Sequence, residues 1–183
     1  MQPSCLLRPA TRNDMAAITE IYAWHVLHGI ATFEEEAPDV AQMTYRFDQI
    51  TAQGYPYIVA EKDNEIVGYA YVSSYRPRIA YRYTVENAIY LRHDLARMGT
   101  GSLLLAELIR LCELGPWRQM IAIIGNSENA GSIGVHHKAG FEMVGTIKSA
   151  GFKHGRWVDS IIMQRALSDG DRTKPHIGHT GKR

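Results

Sequence analysis

The sequence predicts an α+β fold, in which a mixed, mostly antiparallel and twisted sheet is covered by helices on both faces. Strand-like and helix-like segments follow one another in the order β-α-α-β-β-β-α-β-α-β-β. The short turn Lys62-Asp63-Asn64 joins two strand-like segments as an antiparallel hairpin. A loop containing Gly99 and Gly101 separates a strand-like segment from a helix-like one. A length of 183 residues suits one domain, which we expect over residues 1–167.

The first half of the chain contains two predicted helices and three predicted strands. The first helix is capped by Thr11 or Asn13, and its apolar positions 15, 18, 21, 22 and 26 recur at helical spacing. An irregular loop over residues 28–39 follows, because Gly29 and Pro38 interrupt the pattern. The remaining segments are a strand at residues 5–10, a helix at residues 40–52, and strands at residues 57–61 and 65–74.

The second half contains two further helices and four strands. A strand over residues 84–91 leads to the glycine loop, and a helix over residues 101–114 ends at Gly115-Pro116. The continuous apolar run 120–124 predicts a strand buried on both faces. A helix at 129–138 ends before Gly140, and strands follow at 141–148 and 157–165. Residues 168–183 contain few apolar side chains, which predicts a disordered tail.

Composition limits the classes of function. A hydrophobic content of 45% with 21% charged residues is typical of a soluble globular protein. The net charge of +1 gives no reason to expect a nucleic-acid partner. No run approaches the 18 apolar residues of a membrane span. Cys5 and Cys112 lie far apart without metal-ligand spacing, so we expect a cytoplasmic protein with no metal and no disulfide.

The loop between the strand at 84–91 and the following helix predicts a pyrophosphate site. Where a strand and a loop lead into a helix, the first N–H groups of the helix are unpaired and lie at the positive end of the helix dipole, so they attract an anion. Glycines in the loop leave room for the anion because they have no side chain. A dinucleotide fingerprint would need a third glycine where Leu104 stands, and a Walker loop would need Gly-Lys-Ser/Thr. A glycine-rich turn without a ligand remains the alternative.

The loop resembles the acetyl-CoA signature of the GNAT superfamily of N-acetyltransferases, Gln/Arg-x-x-Gly-x-Gly/Ala, with Ala96 at the Gln/Arg position. A second stretch, residues 125–141, resembles the GNAT helix that packs beside the pantetheine arm of the cofactor. The resemblance implies acetyl-CoA as co-substrate and His136 as the general acid for the departing thiolate, with ordinary helical packing as the alternative for this histidine. It implies cofactor binding by Ile89, Tyr90, Leu91, Arg97, Met98, Gly99, Thr100, Gly101, Ser102 and Asn129.

Four further stretches, within residues 32–36, 76–78, 81–91 and 150–159, resemble the phosphinothricin and methionine sulfoximine N-acetyltransferases. The implied acceptor is the α-amine of a small amino-acid analogue. An ammonium must lose a proton before it attacks a thioester, so a base is needed, and Glu86 is the candidate. Guanidinium groups suit the anionic oxygens of such an acceptor. The expected acceptor-binding residues are Phe33, Arg76, Pro77, Arg78, Arg82 and Glu86.

The family resemblance also implies strands that separate beside the cofactor, freeing the amides of Ile89 and Leu91 to polarise the thioester carbonyl. It further implies a homodimer and direct attack without an acyl-enzyme. Two alternatives remain at this point: an enzyme that acetylates a protein N-terminus or a polyamine, and a non-catalytic acyl-CoA sensor. The arginine cluster favours a small anionic acceptor over the first, and the presence of Glu86 and His136 counts against the second.

Overall fold

A computed structural model describes residues 5–95, 98–126 and 129–176. Its elements in chain order are β1 (Leu6–Pro9), α1 (Met15–His28), α2 (Val40–Ala52), β2 (Tyr57–Lys62), β3 (Glu65–Ser74), β4 (Thr84–Leu91), α3 (Thr100–Glu113), β5 (Gln119–Gly125), α4 (Ala130–Lys138), β6 (Glu142–Lys153) and β7 (Arg156–Ala166). Short 3₁₀ turns occupy Arg12–Asp14, Ile79–Tyr81 and His93–Leu95. The predicted order of helices and strands is therefore confirmed.

Seven strands form one sheet in the order β1-β2-β3-β4-β5-β7-β6. Every neighbouring pair is antiparallel except β4 and β5, which are parallel. The hairpin between β2 and β3 turns through Asp63 and Asn64, both in the left-handed region with φ of 52° and 63°. This is the primed two-residue turn that matches the twist of antiparallel strands. The predicted mixed sheet and the predicted hairpin are both confirmed.

Helices cover both faces of the sheet, because successive strand residues point to opposite sides. On one face, α1 and α2 pack on Tyr57, Val59 and Tyr69. On the other face, the apolar side of α3 packs on alternate residues of β2 to β5. The second core is the larger one and includes Leu104, Leu105 and Leu108, none of which is exposed.

The first two helices begin in different ways. The sequence predicted Thr11 or Asn13 as the cap of the first helix, but the N-cap of α1 is Asp14, the last residue of the 3₁₀ turn. Thr11 stands before that turn, where its N–H donates to Asp14 Oδ2 at 2.8 Å. Asp39 caps α2 and accepts a hydrogen bond from the Gln42 N–H at 2.8 Å, which is the side-chain acceptor that the first N–H groups of a helix require.

The structure differs from the predicted elements at β5 and β6. Ile123 in β5 is 43% exposed, although the sequence predicted burial on both faces. β6 continues to Lys153, five residues beyond its predicted end. A register shift between Ile147 and Gly151, with Ser149 at φ 50°, absorbs a Ser-Ala-Gly segment that resembles a turn in sequence.

The segment after β7 makes hydrogen bonds to the rest of the domain over its first residues. Leu167 is fully buried, and the Gly170 N–H donates to its carbonyl at 2.9 Å. The guanidinium of Arg118 donates to the carbonyl of Gly170 at 2.9 Å and to Thr173 Oγ1 at 2.6 Å. Arg118 thus holds residues 170–174 against the domain although most side chains of residues 168–176 are exposed, and the rest of the predicted tail, residues 177–183, lies outside the described part of the chain.

Across the described part of the chain, the helices lack the length and apolar composition of a membrane span. Over the same residues, His, Cys, Asp and Glu side chains form no group of three or more that is placed to hold a metal ion.

Candidate active site

An opening between β4 and β5 is the central feature of the site. The two parallel strands pair only from Thr84 to Glu86 on β4, opposite residues 119–121 of β5. Beyond this point β4 remains paired with β3 and β5 with β7, so the middle of the sheet divides. The separation that the family resemblance implied is therefore present.

The main chain of β4 is oriented so that two amides face the opening. The Tyr75 N–H donates to the Thr84 carbonyl and the Arg92 N–H to the Val67 carbonyl, so even-numbered residues on β4 bond to β3. Because this orientation alternates along an antiparallel pair, odd-numbered residues face β5. The N–H groups of Ile89 and Leu91 therefore point into the opening, whereas the main chain of Tyr90 bonds to β3.

The opening leads to a cavity of about 280 Å³ that crosses the sheet. On the side of α1, its lining includes Phe33, Tyr71, Ser73, Glu86 and Tyr90. On the side of α3 and α4, its lining includes Asn87, Asn129, Ser132 and His136. Ile123 lines the cavity as well, which explains why this apolar residue of a central strand is exposed.

Glu86 is the acidic residue in the cavity lining. It lies opposite Ser73 on β3, at the last point where β4 pairs with both neighbours. Burial raises the pKa of its carboxyl above the ordinary value of 4.5, and the charge of Arg76 lowers it in part. A carboxylate with a raised pKa is better matched to taking up a proton near neutral pH than an exposed one.

The first turn of α3 forms the second half of the site. Gly99 is its N-cap, with a left-handed φ of 79°, and within the described part of the chain no side chain caps the turn. Among these residues the N–H groups of Thr100, Gly101 and Ser102 therefore stand at the positive end of the helix without a side-chain acceptor. Met98 is exposed beside this turn. Arg97, also expected to contact the cofactor, lies outside the described residues.

The two glycines of this loop differ in what the surrounding structure demands of them. A Cβ at Gly99 would meet no atom within 4 Å, so only the backbone conformation demands glycine there. A Cβ at Gly101 would lie 3.4 Å from Leu91 Cδ1, which is an ordinary van der Waals distance, so the packing of α3 on β4 does not by itself require glycine there. The role in anion access that the sequence predicts for both glycines stays a prediction.

His136 and Asn129 lie together on the cofactor side. Asn129 caps α4 by accepting from the Ser132 N–H at 3.2 Å. His136 Nδ1 lies 2.8 Å from the Ser132 carbonyl, which can only accept, so Nδ1 carries the proton. Burial lowers the pKa of His136, which favours the neutral ring. In that state Nε2 has no proton to give.

Nε2 of His136 instead faces a second buried amide. It lies 3.3 Å from Asn87 Oδ1, and Nδ2 of Asn87 has no hydrogen-bond partner among the described residues. A half-turn of the Asn87 amide would let Nδ2 donate to Nε2 and would give this buried N–H group a partner. The sequence interpretation did not identify Asn87. This residue follows Glu86 directly in β4, and because successive strand residues point to opposite faces, its side chain lies on the other face of the sheet.

The predicted arginine cluster lies at the rim of the site. Arg76, Pro77, Arg78 and Arg82 are all exposed on the segment between β3 and β4, and none lines the cavity. Arg76 acts electrostatically on Glu86 and lies 5.1 Å from the Tyr75 ring centroid. Arg82 lies over the Tyr83 ring at 4.6 Å and donates to the Ile79 carbonyl at 3.0 Å.

Phe33 lines the cavity from the loop between α1 and α2 and is 41% exposed. Tyr71 and Ser73, which the sequence interpretation missed, lie on the same sheet face as Glu86. The register of β3 and β4 supplies the reason: Ser73 lies opposite Glu86 and Tyr71 opposite Ala88. Burial raises the pKa of Tyr71 to about 12, so its phenol is neutral at physiological pH.

The fold and the divided sheet together define the class of the protein as an acyltransferase. The family model described as "Acetyltransferase (GNAT) domain" matches residues 7–162. This match spans most of the chain, which therefore belongs to the GNAT acetyltransferases.

Three relatives place the chain within this family. A phosphinothricin N-acetyltransferase of Alcaligenes faecalis is 48% identical over 94% of this chain and 87% of its own length. An L-methionine sulfoximine/L-methionine sulfone acetyltransferase of Pseudomonas paraeruginosa is 38% identical over 94% of this chain and 99% of its own. The crystal structure of a GNAT phosphinothricin acetyltransferase from Sinorhizobium meliloti, in complex with AcCoA, has a TM-score of 0.93 and 47% identity, covering 95% of this chain and 94% of that one.

Proposed function

We propose that the protein transfers the acetyl group of acetyl-CoA to the α-amine of a small amino-acid analogue of the phosphinothricin, methionine sulfoximine or methionine sulfone type. The observation that carries the proposal is the opening between β4 and β5, with Glu86 on one side of the sheet and the uncapped start of α3 beyond the other. The names of the two curated relatives support this choice of acceptor, and the complexed crystal structure supports the choice of donor.

In the proposed reaction, the first turn of α3 binds the diphosphate of acetyl-CoA through the N–H groups of residues 99–102. Its pantetheine arm runs along the open edge of β4, next to the amides of Ile89 and Leu91. Glu86 takes a proton from the acceptor ammonium, directly or through a water molecule. The free amine then attacks the thioester carbonyl, and one of the open β4 amides stabilises the oxyanion.

The tetrahedral intermediate collapses with cleavage of the C–S bond and release of the CoA thiolate, and the remaining extra proton of the attacking nitrogen passes to that thiolate or to solvent as the amide forms. The general-acid role predicted for His136 is not part of this proposal, because the neutral ring donates its one N–H to Ser132. We assign His136 to orienting Asn87 in the wall of the cavity. The reaction is a direct transfer, so no acyl-enzyme forms.

On the acceptor side, the cationic rim supports an anionic substrate. Arg76, Arg78 and Arg82 contribute three positive charges within seven residues of an exposed segment, and a guanidinium pairs with carboxylate or phosphinyl oxygens. Phe33 offers an apolar surface to the acceptor's side chain. A polyamine would be repelled by this rim, which is why that alternative is less favoured.

Thiol release from acetyl-CoA tests the proposal, with phosphinothricin, methionine sulfoximine, methionine sulfone, a peptide panel and spermidine as acceptors. We expect turnover with one or more of the first three. Turnover with peptides or spermidine alone would favour the alternative enzyme, and binding of acetyl-CoA with no turnover would favour the sensor.

Glu86→Gln tests the base. A general base contributes about 10²–10⁴-fold, so kcat should fall by a factor in that range while acetyl-CoA still binds. Glu20→Gln, at an exposed glutamate of α1, is the matched control and should behave as wild type. Wild-type turnover by Glu86→Gln across the pH range would remove this residue from the mechanism.

We also propose a cytoplasmic homodimer that buries β6. This strand is at the edge of the sheet, and its side chains are exposed on both faces. Met143, Val144, Ile147 and Phe152 are each more than half exposed, as is Trp157 at the start of β7. A long apolar edge strand pairs readily with another chain unless it is covered.

The cysteines support the cytoplasmic part of the proposal. Cys5 and Cys112 are free thiols, which suits a reducing compartment.

Light scattering coupled to size exclusion tests the dimer. Ile147→Lys should shift the protein from dimer to monomer, whereas Tyr45→Lys, at an exposed aromatic of α2, should leave the mass unchanged. A wild-type monomer at micromolar concentration would contradict the proposal. Separation of cytosol from membranes, with detection of the native protein, tests the compartment.

A further inference from the structure

Lys153, the last residue of β6, is a buried cation outside the cavity, with only 2% of its surface exposed. Its Nζ donates to the carbonyl of Thr32 at 2.7 Å and lies 3.5 Å from the carbonyl of His25. Burial lowers the pKa of its ammonium, and the charges of Glu34 and Glu35 act in the opposite direction. Burying an ammonium costs free energy unless it is hydrogen-bonded. The two carbonyl groups therefore compensate the burial of Lys153, and the ammonium in turn holds the chain to which they belong.

The closer contact of Lys153, Thr32, lies on the loop of residues 29–39 between α1 and α2, which we call the acceptor loop, and the other, His25, lies in the last turn of α1. The same loop is fastened from the α1 and α2 side. Thr32 Oγ1 lies 2.9 Å from Tyr22 Oη, and the Tyr22 hydroxyl donates to Glu34 Oε1 at 2.8 Å. Arg46 donates to both oxygens of Glu34, at 2.6 and 3.1 Å. Both residues that flank Phe33 are therefore held.

Phe33 itself packs directly on the backbone of β6 and β5. A Cβ at Gly151 would come within 2.6–2.9 Å of three atoms of the Phe33 ring. A Cβ at Gly125 would lie 2.3 Å from the Ile30 carbonyl oxygen and 3.2 Å from the ring. Glycine at these positions is what allows the close approach. β6 thus contacts the acceptor loop twice, through Gly151 and through Lys153.

We propose that Lys153 is a positioning residue for the acceptor site: its hydrogen bond to Thr32 fixes the acceptor loop, so that Phe33 forms one wall of the cavity. The proposal deepens the proposed function and rests on it. It also links β6, the edge strand of the sheet, to acceptor affinity, without any contact between Lys153 and the substrate.

Steady-state kinetics of Lys153→Met test this role. Met keeps the length of the side chain and removes the N–H donors. We expect the KM for phosphinothricin or methionine sulfoximine to rise about tenfold, since small displacements of a positioning group cost this much or more. The dissociation constant of acetyl-CoA should stay unchanged. Lys153→Arg, which restores a donor, should recover part of the loss. Lys174→Met, at an exposed lysine outside β6, is the matched control.

An unchanged acceptor KM in Lys153→Met would overturn the proposal, as would an equal loss of affinity for acceptor and acetyl-CoA. Gly151→Ala provides a second variant that keeps Lys153 and displaces the Phe33 ring, and it should raise the acceptor KM in the same selective way. Amide exchange needs no turnover: in Lys153→Met it should speed up in residues 29–36 and not in the β2–β3 hairpin. Unchanged exchange in the loop would likewise refute the role, whereas failure of the proposed function would appear as absent turnover in the wild type.

Discussion

Replacement of Gly99 by alanine is the sharpest test of the cofactor site. The residue has a φ of 79°, and a Cβ there would meet nothing within 4 Å. The cost of Gly99→Ala is therefore conformational, and placing an L-residue in the left-handed region costs about 1–2 kcal/mol. If the loop keeps its shape, the free energy of unfolding falls by that amount, or Tm by about 2–4 °C per kcal/mol in a domain of this size.

If the loop instead relaxes, the N–H groups of residues 99–102 no longer converge on one point. The same 1–2 kcal/mol then appears as an affinity for acetyl-CoA that is weaker by about 5- to 30-fold. Isothermal titration calorimetry with acetyl-CoA and urea unfolding separate the two outcomes. Gly99→Asn should be milder in both measurements, because asparagine tolerates the left-handed region better than alanine does.

Gly54→Ala supplies the matched control. Gly54 follows α2, has a φ of 81°, and also has open space where a Cβ would lie. This variant should be destabilised to a similar extent and should bind acetyl-CoA as the wild type does. If Gly99→Ala showed wild-type stability and wild-type affinity together, the reasoning that the left-handed conformation of Gly99 shapes the cofactor seat would be refuted.

Three further outcomes follow from burial and charge. Arg76→Met should move the acidic limb of the pH profile of kcat/KM to higher pH. The positive charge of Arg76 lowers the pKa of Glu86, and Glu86 must be ionised to act as the base. A shift of this limb to lower pH would contradict the assignment. Leu105→Ala should lower the free energy of urea unfolding by about 2–5 kcal/mol, and Leu103→Ala, at a half-exposed site on the same helix, by far less. Because burial lowers the pKa of His136, the unfolded state binds its proton more tightly. Stability should fall as pH drops below the ordinary value of 6.5, and His136→Gln should reduce that dependence.

Local signals in the sequence were sufficient for most of the fold. The hairpin at Asp63-Asn64, the cap at Asp39 and the glycine at the start of α3 each depend on a few adjacent residues. These devices work through φ angles and short hydrogen bonds, so one stretch of chain contains all the information. The end of β6 was missed because Ser149-Ala150-Gly151 resembles a turn, and only the pairing with β7 carries the strand past it.

The residues of the candidate site also fall into two groups, those that local motifs in the sequence indicated and those that only the folded structure brings to the site. Glu86, Gly99, Asn129 and His136 occur in short motifs, so the sequence alone was able to nominate them together with the family. The partners of these residues come from other elements: Ser73 reaches Glu86 across a strand pair. No spacing in the sequence could reveal that register.

What the sequence by itself determined is the set of elements, the family and the nucleus of the site, since propensity, capping and motif spacing act over a few residues. The tertiary structure decided three matters: where β4 separates from β5, which ring nitrogen of His136 carries the proton, and the hydrogen bond from Lys153 to Thr32, which are 121 residues apart in the chain. Each depends on the burial and alignment of groups that are distant in sequence. Desolvation and hydrogen-bond geometry exist only once the chain has folded.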